Sequence, residues 1–308
     1  MKRKHLPLIL TGIAMGVLIL DSRHTAQYAA EGIELCIRTV IPSLFPFFLL
    51  SIYLTGNLTA KNAVLSLLVT GFLGGYPVGA QAAAEGSRTG RLTKEQANRL
   101  LMFCSHAGPS FLFGILSAQF PETKYCWLLW TVQFLSAITV AAFVYPVSAA
   151  GTGSRESRSC PLPEAMKKAT AACASVCGWV VLFRVILGYV RRIPLAEPWN
   201  ILLWGVLELT NGCLNLWAVE DLSTRFLLAA VMLNFGGVCV LLQTASVTAG
   251  LNLKYYLSGK LLQTLFSLLY GLCCLGHLVA LIPIFLVFLL FRRPIPAKRS
   301  SISAGIGV

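Results

Sequence analysis

Long apolar runs separated by brief polar interruptions dominate the chain, covering about residues 6–20, 33–54, 63–84, 97–118, 125–149, 169–190, 200–219, 226–250 and 257–291. A helix that crosses a bilayer needs about 20 mostly apolar residues. The pattern therefore predicts an all-α, polytopic transmembrane helix bundle. The final run, roughly 35 residues at 1.5 Å each, is too long for a single span and is expected to divide near Gly276-His277. The main polar breaks are Glu85 to Arg99, with four Lys/Arg, and Ala150 to Lys168, rich in Gly, Ser and Pro.

Composition sharpens this picture. Hydrophobic residues make up 56% of the 308 and charged residues only 12%, with a mean hydropathy of +0.73. A soluble domain carries roughly 25% charged residues, so this chain cannot cover a water-exposed surface of its size. The net charge of +13 is concentrated in short connections and at the termini, the positive-inside pattern of cytoplasmic loops. Basic and aromatic residues are not interleaved as base-stacking surfaces require, which argues against nucleic acid as a partner. The ten cysteines form no CxxC and no Cys/His cluster with zinc spacing. Small buried hydrophobes are the simplest reading of them, and neither a metal nor another cofactor is expected. No catalytic signature is present, so the chain is not expected to be an enzyme.

The opening Met1-Lys2-Arg3-Lys4-His5 and the run to Leu20 resemble a secretory signal, but Asp21-Ser22-Arg23-His24 offers no small-residue cleavage site. Residues 1–28 are therefore read as an uncleaved anchor helix. Basic termini place both ends in the cytoplasm and require an even number of crossings. About eight crossings plus one or two re-entrant segments satisfy this, with a re-entrant segment expected over 33–54.

The reason lies in Ile41-Pro42-Ser43-Leu44-Phe45-Pro46-Phe47. Two prolines four residues apart remove two backbone donors and crowd preceding carbonyls. A broken helix there would leave backbone groups lining a wet cavity, with Ser43 as the local donor; a proline-kinked helix is the plainer alternative. A second motif, Gly71-Phe-Leu-Gly-Gly-Tyr-Pro-Val-Gly-Ala80, reads either as close helix packing or as a break at Gly75, Tyr76 and Pro77. The third, Cys104-Ser105-His106-Ala107-Gly108-Pro109-Ser110, is costly in lipid unless it faces protein or water. A lone His106 is more often packed than a ligand, so the cluster weighs more than its histidine.

These motifs recur loosely at offsets of about 130–135 residues. Gly205 to Gly212, containing Glu208 and Asn211, answers the second motif. Asn234-Phe235-Gly236-Gly237, with Gln243 beyond, answers the third. Two repeated halves follow, at 29–150 and 169–275, joined by a polar linker over 151–168 and followed by a C-terminal helix and basic tail over 276–308. Interrupted segments at corresponding positions of two halves point to a midplane transport site. Arg184 and Glu208 form a candidate intramembrane charge pair, and Glu34 and Arg38 are spaced i,i+4 for one helix face.

The Pro-Ser-Leu-Phe-Pro-Phe-Phe, Gly-Gly-Tyr-Pro-Val-Gly-Ala and Cys-Ser-His-Ala-Gly-Pro-Ser runs resemble the YlbJ-type sporulation integral membrane proteins, in the nucleoside recognition (Gate) domain group. The resemblance covers about residues 30–275, and His106 departs from the short polar residue usual at its position. It implies a multi-pass protein of the mother-cell or outer forespore membrane of an endospore-forming bacterium, moving a small anion such as dipicolinic acid. A nucleoside cargo and a non-transporting scaffold for envelope assembly are the alternatives. The substrate-binding residues it suggests are Pro42, Ser43, Pro46, Gly75, Tyr76, Pro77, Ser105, His106, Gly108 and Pro109, with Asn211, Asn234, Gly236 and Gln243 from the second half. The lipid bilayer and a small anionic solute are the expected partners, and a homo-oligomer is left open.

Overall fold

A computed structural model of the chain describes residues 5–57, 60–144, 160–193 and 195–277, together with 279 and 282. All regular structure among them is helical. The order is α1 (His5–Leu20), α2 (Ser22–Leu35), a π-helical turn (Cys36–Val40), α3 (Ile41–Asn57), α4 (Ala60–Gly74), α5 (Val78–Arg88), α6 (Lys94–Leu101), α7 (Pro109–Gly114), α8 (Lys124–Val144), α9 (Leu162–Val190), α10 (Trp199–Leu207), α11 (Leu209–Leu214), α12 (Leu222–Phe235), α13 (Gly237–Val247) and α14 (Leu253–Cys274). Short 3₁₀ turns follow α7 and α11.

Local chemistry explains the helix starts. Thr93 and Gln96 form a reciprocal capping box at α6. The side chains of Asp221 and Asn252 accept from the first turns of α12 and α14. Pro109 occupies the first position of α7, where its missing N–H costs nothing.

Among the described residues, five stretches are long and apolar enough to cross a membrane: Ser22–Leu54, Lys124–Val144, Leu162–Val190, Leu222–Val247 and Leu253–Cys274. They carry exposed apolar side chains such as Ile37, Leu50, Trp127, Ile138, Leu182 and Leu265, which water would not tolerate in such density. This is the architecture of a multi-pass membrane protein.

Among the described residues, the other apolar runs are divided into shorter helices. The run over 63–84 becomes α4 and α5, folded back on each other so that Gly71 faces Gly79. The run over 200–219 becomes α10 and α11, with Gly205 against Gly212. The run over 97–118 is cut between α6 and α7, and α1 is a 16-residue helix. α14 ends at Cys274 and Gly276 is left-handed (φ +93°), in keeping with the expected division. The second helix expected after it, and the basic tail, lie outside the described residues apart from 276, 277, 279 and 282, as do 151–159 of the linker.

Two expectations are corrected. The prolines do not break a helix, and 33–54 does not turn back: it belongs to one helical span from Ser22 to Leu54. The π turn absorbs the lost donors. Ile41 N–H reaches back to the Cys36 carbonyl, a five-residue step, and the Ser43 hydroxyl donates to the carbonyls of Thr39 (2.6 Å) and Val40 (3.2 Å). Single π turns of this kind let a helix accommodate an irregularity without ending. The polar linker is also shorter than expected, because α9 begins at Leu162; Pro161 and Pro163 suit a first turn.

Packing rests on glycine at close approaches. A Cβ on Gly32 would lie 2.9 Å from Val181 Cα, which fixes α2 against α9. The Cys104 carbonyl is lodged between Gly71 and Gly79 so tightly that a Cβ on either would overlap it. At the other end of α5, Glu85 pairs with Arg88 of the same helix (2.7 Å) and ties the hairpin to α9 through Lys168 (3.1 Å). Burial alone would raise the Glu85 carboxyl's pKa, but these donors hold it below the ordinary value.

Gly79→Val is expected to cost about 3 kcal/mol, the upper end for overpacking, lowering the unfolding midpoint in detergent by roughly 5–10 °C. Gly178→Ala, with nothing near the added methyl group, is expected to be neutral or slightly stabilising. Thermal unfolding followed by tryptophan fluorescence compares the two, and equal midpoints would refute the close-approach account.

Candidate functional site

Four chain interruptions converge near the middle of the bundle. The first is the tip of the α4–α5 hairpin, where Gly75 is left-handed (φ +78°) and the Tyr76–Pro77 bond is cis. The second is the unwound stretch 102–108 between α6 and α7. The third is the α10–α11 tip, where Glu208 is extended (φ −146°, ψ +116°). The fourth is Gly236-Gly237 between α12 and α13, both left-handed.

The four touch one another. A Cβ on Gly108 would lie 3.0 Å from Gly75 N, and one on Gly236 would lie 3.3 Å from the Tyr76 ring. A Cβ on Gly237 would lie 2.9 Å from the Gly205 carbonyl. Gly75, Gly236 and Gly237 combine such contacts with a positive φ, which only glycine tolerates readily, while Gly108 is extended and is needed for the close approach alone.

Between them lies a cavity of about 80 Å³, enough for several waters at about 10–15 Å³ each. Its walls include Thr39, Ser43, Gly75, Tyr76, Gly108, Ser110, Phe111, Val176, Val180, Glu208, Thr210, Val240 and Gln243. Of the sequence-derived site residues, Ser43, Gly75, Tyr76, Gly108, Gln243 and Glu208 are thus brought together. Pro42 and Pro46 lie within α3, Pro77 precedes α5 and Pro109 opens α7; none of them lines the cavity.

Ser105 and His106 are buried behind it. His106 Nε2 donates to the Phe103 carbonyl (2.6 Å), and its ring stacks on Phe72 at 4.2 Å. It is a packed histidine. Asn234 is buried and donates to the Ala230 carbonyl (3.0 Å), and Gly236 lies against the Tyr76 ring.

The Arg184–Glu208 pair is not direct. Arg184 pairs with Glu31 (2.8 Å) and also donates to Asn211 Oδ1. Asn211 Nδ2 donates to Glu208 Oε2 (2.6 Å). Glu208 also accepts from the backbone N–H groups of Thr210 (3.0 Å) and Asn211 (2.8 Å), capping α11. A residue 3% exposed in this setting has its charge spread over several donors rather than matched by one cation. Asn211 therefore stands behind the cavity as a bridge.

The unwound stretch has its own support. The Lys260 ammonium donates to the Ser105 carbonyl, to Tyr76 Oη (2.9 Å) and to Gln263 Oε1 (3.2 Å). Gln263 Nε2 donates to the Met102 carbonyl. Gln133 holds both backbone groups of Ala107, donating to its carbonyl (2.9 Å) and accepting from its N–H (3.3 Å). Tyr76 Oη donates in turn to the Leu233 carbonyl (2.7 Å). Lys260 is 1% exposed and lies over the Tyr76 ring at 4.7 Å; these partners are all neutral. A charged side chain at membrane depth marks a functional site by default.

Sequence reasoning did not single out Lys260, Gln133 or Gln263. The available signal was one lysine inside the otherwise apolar run that begins at 257.

Compared with family models, curated proteins and solved structures, the chain matches none.

Asn211→Leu is expected to destabilise the protein by about 1–3 kcal/mol, because it leaves Glu208 and two arginines short of partners. Asn211→Ser, which keeps a donor and an acceptor, is expected to recover part of that. Unfolding midpoints in detergent provide the measurement, and an unperturbed Asn211→Leu would remove the bridge from the account.

Proposed function

We propose that this chain is a multi-pass secondary transporter or facilitator that carries a small anionic solute through the cavity where the four interruptions meet. The observation that carries the reading is Lys260, a buried ionisable side chain with neutral partners, one tyrosine ring away from that cavity. Glu208 faces the same space, but Asn211 links it to Arg184 and Arg191. With Arg184 matched by Glu31, Arg191 offsets Glu208, and Lys260 in its protonated form leaves the surroundings positive. Opposite unit charges about 8 Å apart at an effective dielectric of about 20 attract by about 2 kcal/mol, enough to favour an anion at modest affinity.

Correspondence between the halves supports the same reading. Gly71 and Gly79 face each other against Cys104, while Gly205 and Gly212 face each other against Met232, with Gly237 beside them. The offset is again about 130–135 residues. On this view α4–α5 and α10–α11 are paired re-entrant hairpins, with half-helix N-termini directed at the solute. The resemblance to YlbJ-type proteins makes dipicolinate the first cargo to try, at the mother-cell or outer forespore membrane. A nucleoside is the second reading, favoured by one feature: the Glu208 carboxylate in the wall repels an anion and accepts hydrogen bonds from a neutral ring.

In proteoliposomes, labelled dipicolinate is expected to enter faster than into empty vesicles, with Lys260→Gln reducing the rate at least tenfold at an unchanged elution profile. Uptake no faster than in empty vesicles would refute the anion permease. Nucleoside uptake that is insensitive to dipicolinate would favour the second reading, and no uptake of either would favour a scaffold.

A further inference from the structure

A second cavity, of about 170 Å³, lies away from the first, between α2 and the end of α9. Its walls are Tyr28, Glu31, Arg184, Gly188, Arg191 and Arg192. Arg184, Gly188 and Arg191 are spaced i, i+4, i+7 and so share one side of α9. Gly188 clears the space between the guanidinium groups: a Cβ there would overlap the Tyr28 ring, which instead lies against the helix backbone.

The charges in this cleft are unequal. Arg184 is matched by Glu31 (2.8 Å) and Arg192 by Asp21 (2.8 Å). Arg191 has no carboxylate partner among the described residues. Its contacts are a hydrogen bond to Asn211 Oδ1 (3.2 Å) and the face of Trp204 at 4.8 Å. A guanidinium carries five N–H donors in a fork that matches the two oxygens of a phosphate, and one of them is engaged here. The dipole at the end of α9 offsets part of the excess charge, but leaves those donors without a protein partner among the described residues. Burial, and next the Arg184 charge, pull the Arg191 pKa below the ordinary guanidinium value, the direction that an added anion would reverse.

We infer that this cleft is an oxyanion site for a phosphate group, gripped by the Arg191 fork with Arg184 and Arg192 at its sides. The phosphate can come from an anionic lipid headgroup or from a free phosphate, since the recognition chemistry is shared. The site is wired to the central cavity. Arg184 and Arg191 both donate to Asn211 Oδ1, and Asn211 donates to Glu208, which caps the α11 tip. A phosphate that draws either guanidinium away from Asn211 loosens the hold on Glu208, so occupancy at one site biases the other, and the bias is reciprocal.

The test is binding to the full chain, so it stands or falls separately from solute uptake. One arm measures the unfolding midpoint of detergent-purified protein against inorganic phosphate, with chloride at matched ionic strength as reference. The other compares phosphatidylcholine vesicles with and without phosphatidylglycerol. A saturable rise with phosphate identifies a free anion as sufficient, and a rise confined to phosphatidylglycerol identifies the headgroup; either supports the site. Arg191→Gln is expected to weaken the response at least tenfold, equivalent to about 1.4 kcal/mol. Arg191→Lys, which keeps the charge without the fork, is expected to weaken it severalfold and serves if the first variant folds poorly. No saturable response in either arm, or variants that respond as the wild type does, would overturn the proposal.

Discussion

Every backbone N–H and C=O placed at membrane depth must find a partner within the protein, because hydrocarbon supplies none. The stretch 102–108 is where this constraint bears hardest. Helical bonding stops at Leu101 and resumes at Pro109, which leaves carbonyls without their usual donors. Lys260, Gln263, Gln133 and His106 supply replacements to Ser105, Met102, Ala107 and Phe103 respectively. Each carbonyl left bare in an apolar interior would cost several kcal/mol. The four side chains are therefore a condition for the stretch to exist at all. Two of them come from α14, which is held against the stretch by Gly259; a Cβ there would overlap Met102.

The same constraint explains why the hairpin tips lie where they do. A tip inside the bundle exposes the N–H groups at the start of its second helix. At the α11 tip Glu208 accepts two of them with its own carboxylate. At the α5 tip Val78 N–H bonds to the Gly75 carbonyl, and Tyr76 sends its hydroxyl across to Leu233. Tyr76 thereby joins the first hairpin to the last turn of α12, just before the Gly236-Gly237 interruption. The interruptions are joined by this hydrogen bond and by a shared apolar core that includes Tyr76, Ala107, Leu209 and Leu233.

Much of this was legible in the chain, and the parts that were not have physical causes. Apolar run length gave the helices and the membrane, because that signal depends only on composition over about 20 residues. Gly74-Gly75-Tyr76-Pro77, the Cys104–Ser110 cluster and Gly236-Gly237 each mark a real interruption, since left-handed backbone and close approach both demand glycine. The Pro42–Pro46 expectation failed for the converse reason. Proline removes donors, but a π turn and a back-bonding serine can absorb that loss without ending the helix. Lys260 was harder to read because its significance is tertiary. A lysine near the end of an apolar run ordinarily snorkels to the interface, and only the approach of Ser105 and Tyr76 turns it inward. Asn211 is a similar case, since its bridging role depends on α9 and α11 being neighbours.

Neither of the two buried ionisable side chains, Glu208 and Lys260, is matched directly by an opposite charge. A buried ion pair that matches plus to minus directly is strongly self-trapping, because removing either partner strands the other. Glu208 and Lys260 are instead held by amides, hydroxyls and backbone groups. Bonds of this kind can be exchanged one at a time for bonds to water or to a solute, with no charge stranded in between. A solute entering the space beside Tyr76 and Glu208 would take over contacts that the hairpin tips already make. Loosening a tip then costs only the difference between two sets of hydrogen bonds.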